Sequence, residues 1–144
     1  MKLSSQQKGY STYQKAQAND REQSELILMM FTGGIGFLDK ALELAETDKI
    51  AMGKYISKAK NVLLELISSL DIENSGEMGE ILLRTYRELF NKLNTAHMVD
   101  DTRKISEVKD SLIELENAWK QVFNSEEHER FKKNSEYNKV VNSI

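Results

Sequence analysis

Apolar residues recur along most of this chain in steps of three and four, the spacing that places side chains on one face of an α-helix. The first strong run covers residues 24–46 and carries two such stripes. One is Ile27, Met30, Gly34, Phe37, Ala41 and Leu44. The other is Leu28, Phe31, Ile35, Leu38, Leu42 and Ala45. A helix packed on one side needs a single stripe, so this one is expected to be covered on two sides. Ser24 or Asp20 is placed to cap its start. A second helix is predicted from Lys49 to about Leu70 behind an Asp48 cap, with the seam Met52, Ile56, Ala59, Leu63, Leu66 and Leu70. The stretch DIENSGEMG, residues 71–79, is the densest turn signal in the chain. A third helix over residues 77–97 follows, with Met78, Leu82, Thr85, Leu89, Leu93 and Ala96 in line. Asp100 or Asp101 opens a fourth, whose seam is Ile105, Val108, Leu112, Leu115, Trp119 and Val122.

Short links between helices of similar length favour antiparallel neighbours. The expected fold is therefore all-α: an antiparallel up-down-up-down four-helix bundle over residues 24–123. A polar N-terminal arm or short helix, residues 1–23, precedes it. A polar C-terminal tail, residues 124–144, follows as a solvated helix or a disordered segment. The absence of proline from all 144 residues agrees with long uninterrupted helices.

Three glycines interrupt the good helix formers of the first helix: Gly33, Gly34 and Gly36. Each costs about 1 kcal/mol relative to alanine in a helix interior. Close approach of another backbone offsets that cost, whether from the bundle itself or from a partner.

Charge and candidate chemistry narrow the function by exclusion. Lys and Arg number 20 against 23 Asp and Glu, a net charge of -3. No basic stripe for nucleic acid stands out. Without cysteine there are no disulfides, thiolate metal sites or cysteine nucleophiles. No apolar run reaches membrane-spanning or signal-peptide length, so a cytoplasmic protein with no membrane insertion is expected. A di-metal bundle site needs inward Glu-x-x-His pairs. The only histidines, His97 and His128, have Asn94 and Ser125 three positions before them. The Gly33–Gly36 cluster is followed by no lysine and lies within a helix, which excludes a phosphate-binding loop. The chain reads as a non-enzyme without metal or cofactor. What remains is surplus apolar surface on the first helix.

Several segments, in order, resemble the flagellin export chaperone (FliS) family over about residues 10–123. They are Tyr13-Gln14, then Glu25-Leu26-Ile27-Leu28-Met29-Met30-Phe31 followed by Gly33-Gly34-Ile35 and Phe37-Leu38. Tyr55-Ile56-Ser57-Lys58-Ala59, Leu66-Ile67-Ser68-Ser69-Leu70-Asp71, Ser75-Gly76-Glu77 and Ala118-Trp119 complete the likeness. The resemblance implies a bundle that binds the disordered C-terminal segment of flagellin, keeps it unpolymerised in the cytosol and helps deliver it to the flagellar type III secretion apparatus. The export-gate protein and other flagellar regulators are further implied partners. Taken with the double stripe, it points to Tyr10, Tyr13, Leu26, Met29, Met30, Gly33, Phe37, Tyr55, Ile56 and Ala59 as lining or covering the flagellin groove. Tyr10 and Tyr13 are expected to fold over the empty groove. The alternative is a homodimeric structural or adaptor bundle that uses the same apolar face for self-association. Phe31, Leu38, Leu63, Leu66, Leu89, Leu112, Leu115 and Trp119 are expected in the core.

Overall fold

The computed structural model describes the backbone of residues 5–142 and the side chains of residues 22–125. Four helices follow one another: α1 (Ser5–Leu44), α2 (Lys49–Ser68), α3 (Ile72–Val99) and α4 (Thr102–Asn142). Helix α1 packs on α2 and α4, and α3 packs on the same two, which makes an antiparallel four-helix bundle with α1 and α3 on one diagonal. Among the described residues there is no strand, and no helix is long and apolar enough to cross a membrane.

Two helices are longer than the apolar pattern indicates. Helix α1 runs from Ser5, so Ser24 and Asp20 lie within it and not at its start. Between Ser5 and Ser24 the chain has one lone glycine and no proline, and Gln, Ala, Lys and Arg sustain the helix. Helix α4 likewise continues through the charged segment to Asn142. The apolar stripe marks where a helix is covered, while propensity and the absence of breakers set where it ends.

The connections form where the turn chemistry places them. The Asp48 carboxylate accepts from the Ala51 N–H at 3.0 Å and starts α2. Asp71 accepts from the Asn74 N–H at 3.3 Å and starts α3. The turn signal at residues 71–79 appears as a break inside α3. A single turn follows Asp71, Gly76 then adopts φ 58° and ψ -140°, and the main helix runs on from there. Such positive-φ geometry strains any residue with a Cβ, which accounts for glycine at this position. Asp100 (φ 55°, ψ 47°) ends α3 in the left-handed conformation, and the Asp101 carboxylate accepts from the Arg103 N–H at 3.1 Å to open α4.

The core of α1 takes members of both predicted stripes: Ile27, Phe31, Gly34, Leu38, Ala41 and Ala45, a heptad line. The rest of each stripe flanks it, one set toward α2 and one toward α4, as burial on two sides requires. In α3 the buried line is Gly79, Tyr86, Leu89, Leu93 and Ala96. It runs one position later than expected at its N-terminal end, so Tyr86 is buried and Met78 faces out. Tyr86 crosses the bundle diagonal to Phe31, with ring centroids 6.4 Å apart. Leu63, Leu66, Leu89 and Leu112 are buried as expected, while Leu115 and Trp119 pack half-buried against the core.

Candidate functional site

The two flanks of α1 differ in chemistry. Toward α4 the links are polar: the Thr32 hydroxyl donates to Glu116 at 2.9 Å, and Lys109 pairs with Asp39 at 2.5 Å. Toward α2 the surface is apolar and aromatic. Phe37 lies 6.3 Å from Tyr55 of α2, centroid to centroid. The Lys58 ammonium sits 5.0 Å above the Tyr55 ring and 5.7 Å from Phe37, a cation–π placement on both rings.

Along the outside of this seam the apolar residues lack a cover. Leu26 is 53% exposed and Met29 67%. Gly33 follows one turn after Met29, and a Cβ built there meets nothing within 4 Å; the same holds at Gly36. Gly34 differs, because its Cβ would touch Leu112 and Val62 at 3.4 Å. The three helix glycines therefore divide: Gly34 serves bundle packing, and Gly33 and Gly36 leave an unfilled strip on the surface. Toward the α2 C-terminus the seam widens into a depression of about 400 Å³ lined by Glu22, Gln23, Leu26, Ile27, Met30 and Ser69.

Of the residues expected at a groove, Leu26 and Met30 line the depression, Phe37 and Tyr55 pack on each other, and Met29 and Gly33 stand on the uncovered surface of α1. The fold does not bring Ile56 and Ala59 to them. These are 0% and 1% exposed and belong to the bundle interior, because the inward line of α2 runs through Met52, Ile56, Ala59, Leu63 and Leu66. The backbones of Tyr10 and Tyr13 stand on α1, and their side chains lie outside the described residues. Sequence reasoning missed Lys58 and Gly36 as part of this face. The signal was present in spacing, since Lys58 stands three residues after Tyr55 and Gly36 three after Gly33.

Among the described residues no group of three or more His, Cys, Asp or Glu is placed to hold a metal ion. The titrating groups perturbed by the fold lie elsewhere. Burial raises the Tyr86 hydroxyl in the core, and the hydrogen bond to Asp39 raises Lys109 on the α4 side. The seam presents Leu, Met, Phe and Tyr beside bare glycine backbone, an apolar surface with room for close contact.

Known proteins of the same pattern are flagellar. The model of a family described as "Flagellar protein FliS" matches residues 6–126. The chain is 31% identical to the flagellar secretion chaperone FliS of Bacillus subtilis, over 86% of this chain and 92% of that protein. It is 28% identical to the Campylobacter jejuni protein of the same name over 81% of this chain and 92% of the other. It is 35% identical to that of Salmonella typhimurium over 68% of this chain and 74% of the other. The match covers all four bundle helices and the α1–α2 seam, and the chain belongs to the FliS family of flagellar secretion chaperones.

Proposed function

We propose that this protein is a cytoplasmic export chaperone that holds the C-terminal segment of flagellin along the α1–α2 seam. In this role it keeps flagellin unpolymerised and passes it to the export gate of the flagellar secretion apparatus, without catalysis or a cofactor. The observation that carries the reading is the uncovered strip of Leu26, Met29, Gly33 and Gly36 beside the Phe37–Tyr55 pair. Flagellin's terminal region must form helices to polymerise, so a chaperone that occupies the apolar side of those helices removes the polymerising surface. Folding of such a segment onto a surface buries on the order of 1,000–3,000 Å² and costs several kcal/mol in ordering. Met29 and Met30 suit a seam that receives a pliable chain, since methionine adapts its shape to irregular contacts.

Isothermal titration with the C-terminal segment of flagellin from the same organism tests the reading. Saturable binding near one to one is expected, and Leu26→Asp with Met29→Asp should abolish it while the circular dichroism stays helical. No heat of binding from a well-folded protein would overturn it in favour of the self-associating adaptor.

A further inference from the structure

A second surface lies on the other side of α2. An open cleft of about 620 Å³ runs along its first turns, lined by Lys49, Ile50, Gly53, Lys54, Ser57 and Lys58, and closed on the α3 side by His97. A large apolar side chain in its lining has little cover: Ile50 is 79% exposed.

The charges around this cleft are unusual for an acidic chain. Between Asp48 and Glu65 the sequence has four lysines and no acid. Elsewhere Lys40, Lys92, Lys109 and Lys120 each pair with a carboxylate. On α2, among the described residues, only Lys49 does so, with Asp100. Lys58 rests on aromatic rings and Lys60 on the Phe90 ring, 5.5 Å from its centroid. Lys54 has no charged partner among the described residues. Cation–π contact leaves a lysine's full positive charge available to an anion. The outer face of α2 therefore carries uncompensated positive charge around an apolar cleft.

We infer that this face is a second docking site, adjoining the α1–α2 seam and sharing Lys58 with it, for an acidic amphipathic protein segment. Its carboxylates would sit on Lys54 and Lys58, and an apolar side chain would enter beside Ile50. Charge complementarity selects that occupant. A nucleic acid is disfavoured, because the cluster is short, the whole chain is negative, and solvated phosphates gain nothing from Ile50. The site goes beyond cargo holding: it leaves the chaperone a face for another protein while the seam is occupied.

The test uses the full chain and two fluorescent peptides of about 16 residues, long enough for four turns of helix. One is built of Glu, Leu and Phe at helical spacing, and the other has Lys in place of Glu. Fluorescence anisotropy should show saturable binding of the acidic peptide, weakened by salt, and much weaker binding of the basic one. Lys54→Glu and Ile50→Asp, both on exposed positions, should each weaken the acidic peptide about tenfold, a change of about 1.4 kcal/mol. Leu26→Asp, in the seam, should leave it unchanged. Equal binding to Lys54→Glu and the parent protein, no binding at all, or loss on Leu26→Asp would overturn the inference. So would a concentration-dependent mass in sedimentation that Ile50→Asp abolishes, because the face would then join two copies of this chain. None of these outcomes touches the flagellin titration, so the two readings fail independently.

Discussion

Replacing Gly33 and Gly36 together by alanine should make the protein more stable and a poorer chaperone. Both residues lie in the interior of α1, where glycine costs about 1 kcal/mol relative to alanine. Nothing lies within 4 Å of a Cβ built at either position, so no packing loss opposes the gain. The double variant should gain up to about 2 kcal/mol. For a chain of this length that raises the melting temperature by roughly 4–8 °C. Gly34→Ala is the internal control. Its Cβ would stand 3.4 Å from Leu112 and Val62, so those side chains must shift by a few tenths of an ångström. The propensity gain there is offset by crowding, and the net change should be near zero. Circular dichroism at 222 nm, followed through heat and urea, reads all three variants. Titration with the flagellin segment reads the other half. If a partner backbone packs on the bare strip, two added methyl groups displace it and weaken binding about tenfold or more, at least 1.4 kcal/mol. A double variant no more stable than the parent would refute the claim that the strip is open. One that is more stable but binds flagellin unchanged would refute the strip as the docking face.

Alkaline pH should expose the buried Tyr86 hydroxyl. Burial holds its pKa above the ordinary 10.0, and the hydrogen bond with Trp119 offsets only part of the rise. The unfolded chain therefore loses this proton first. The stability that Tyr86 contributes is complete below about pH 10 and falls as pH climbs through the folded value. Lys109, raised through Asp39, loses its contribution in the same direction and is common to both proteins compared. Tyr86→Phe should cost about 1 kcal/mol at neutral pH through the lost hydrogen bond. Urea midpoints should then fall less steeply above pH 10 than in the parent, and parallel curves would refute the assignment. Asp48→Ala should remove the α2 cap and cost about 1 kcal/mol, with Asp48→Asn nearly neutral, since asparagine caps equally well. An equal loss in both variants by urea titration would assign the effect to charge instead of capping.

The sequence by itself determined the four covered helical stretches, the cap at Asp48, a turn signal within residues 71–79 and the absence of cysteine chemistry, while the cap at Asp71 and the break at Gly76 came from the structure. The former follow from local rules of period, hydrogen-bonding side chain and turn composition, and local rules need no knowledge of neighbours. The double stripe also showed that α1 is covered on two sides. Only the tertiary structure decided which residues of that stripe meet which helix. Gly33, Gly34 and Gly36 look alike in the chain, yet only Gly34 faces Leu112 and Val62. Ile56 and Ala59 share a short segment with Tyr55, but the helix turns by about 100° per residue, so Tyr55 reaches the seam while its neighbours enter the core. Tyr86 in place of Thr85 on the buried line of α3 was likewise a matter of register against Phe31. A helix's rotation about its own axis is set by the sum of its contacts with two neighbours, and no single segment contains that sum. The surplus of apolar surface was thus legible in the amino acids, and the part of it left uncovered was settled only when the four helices closed on one another.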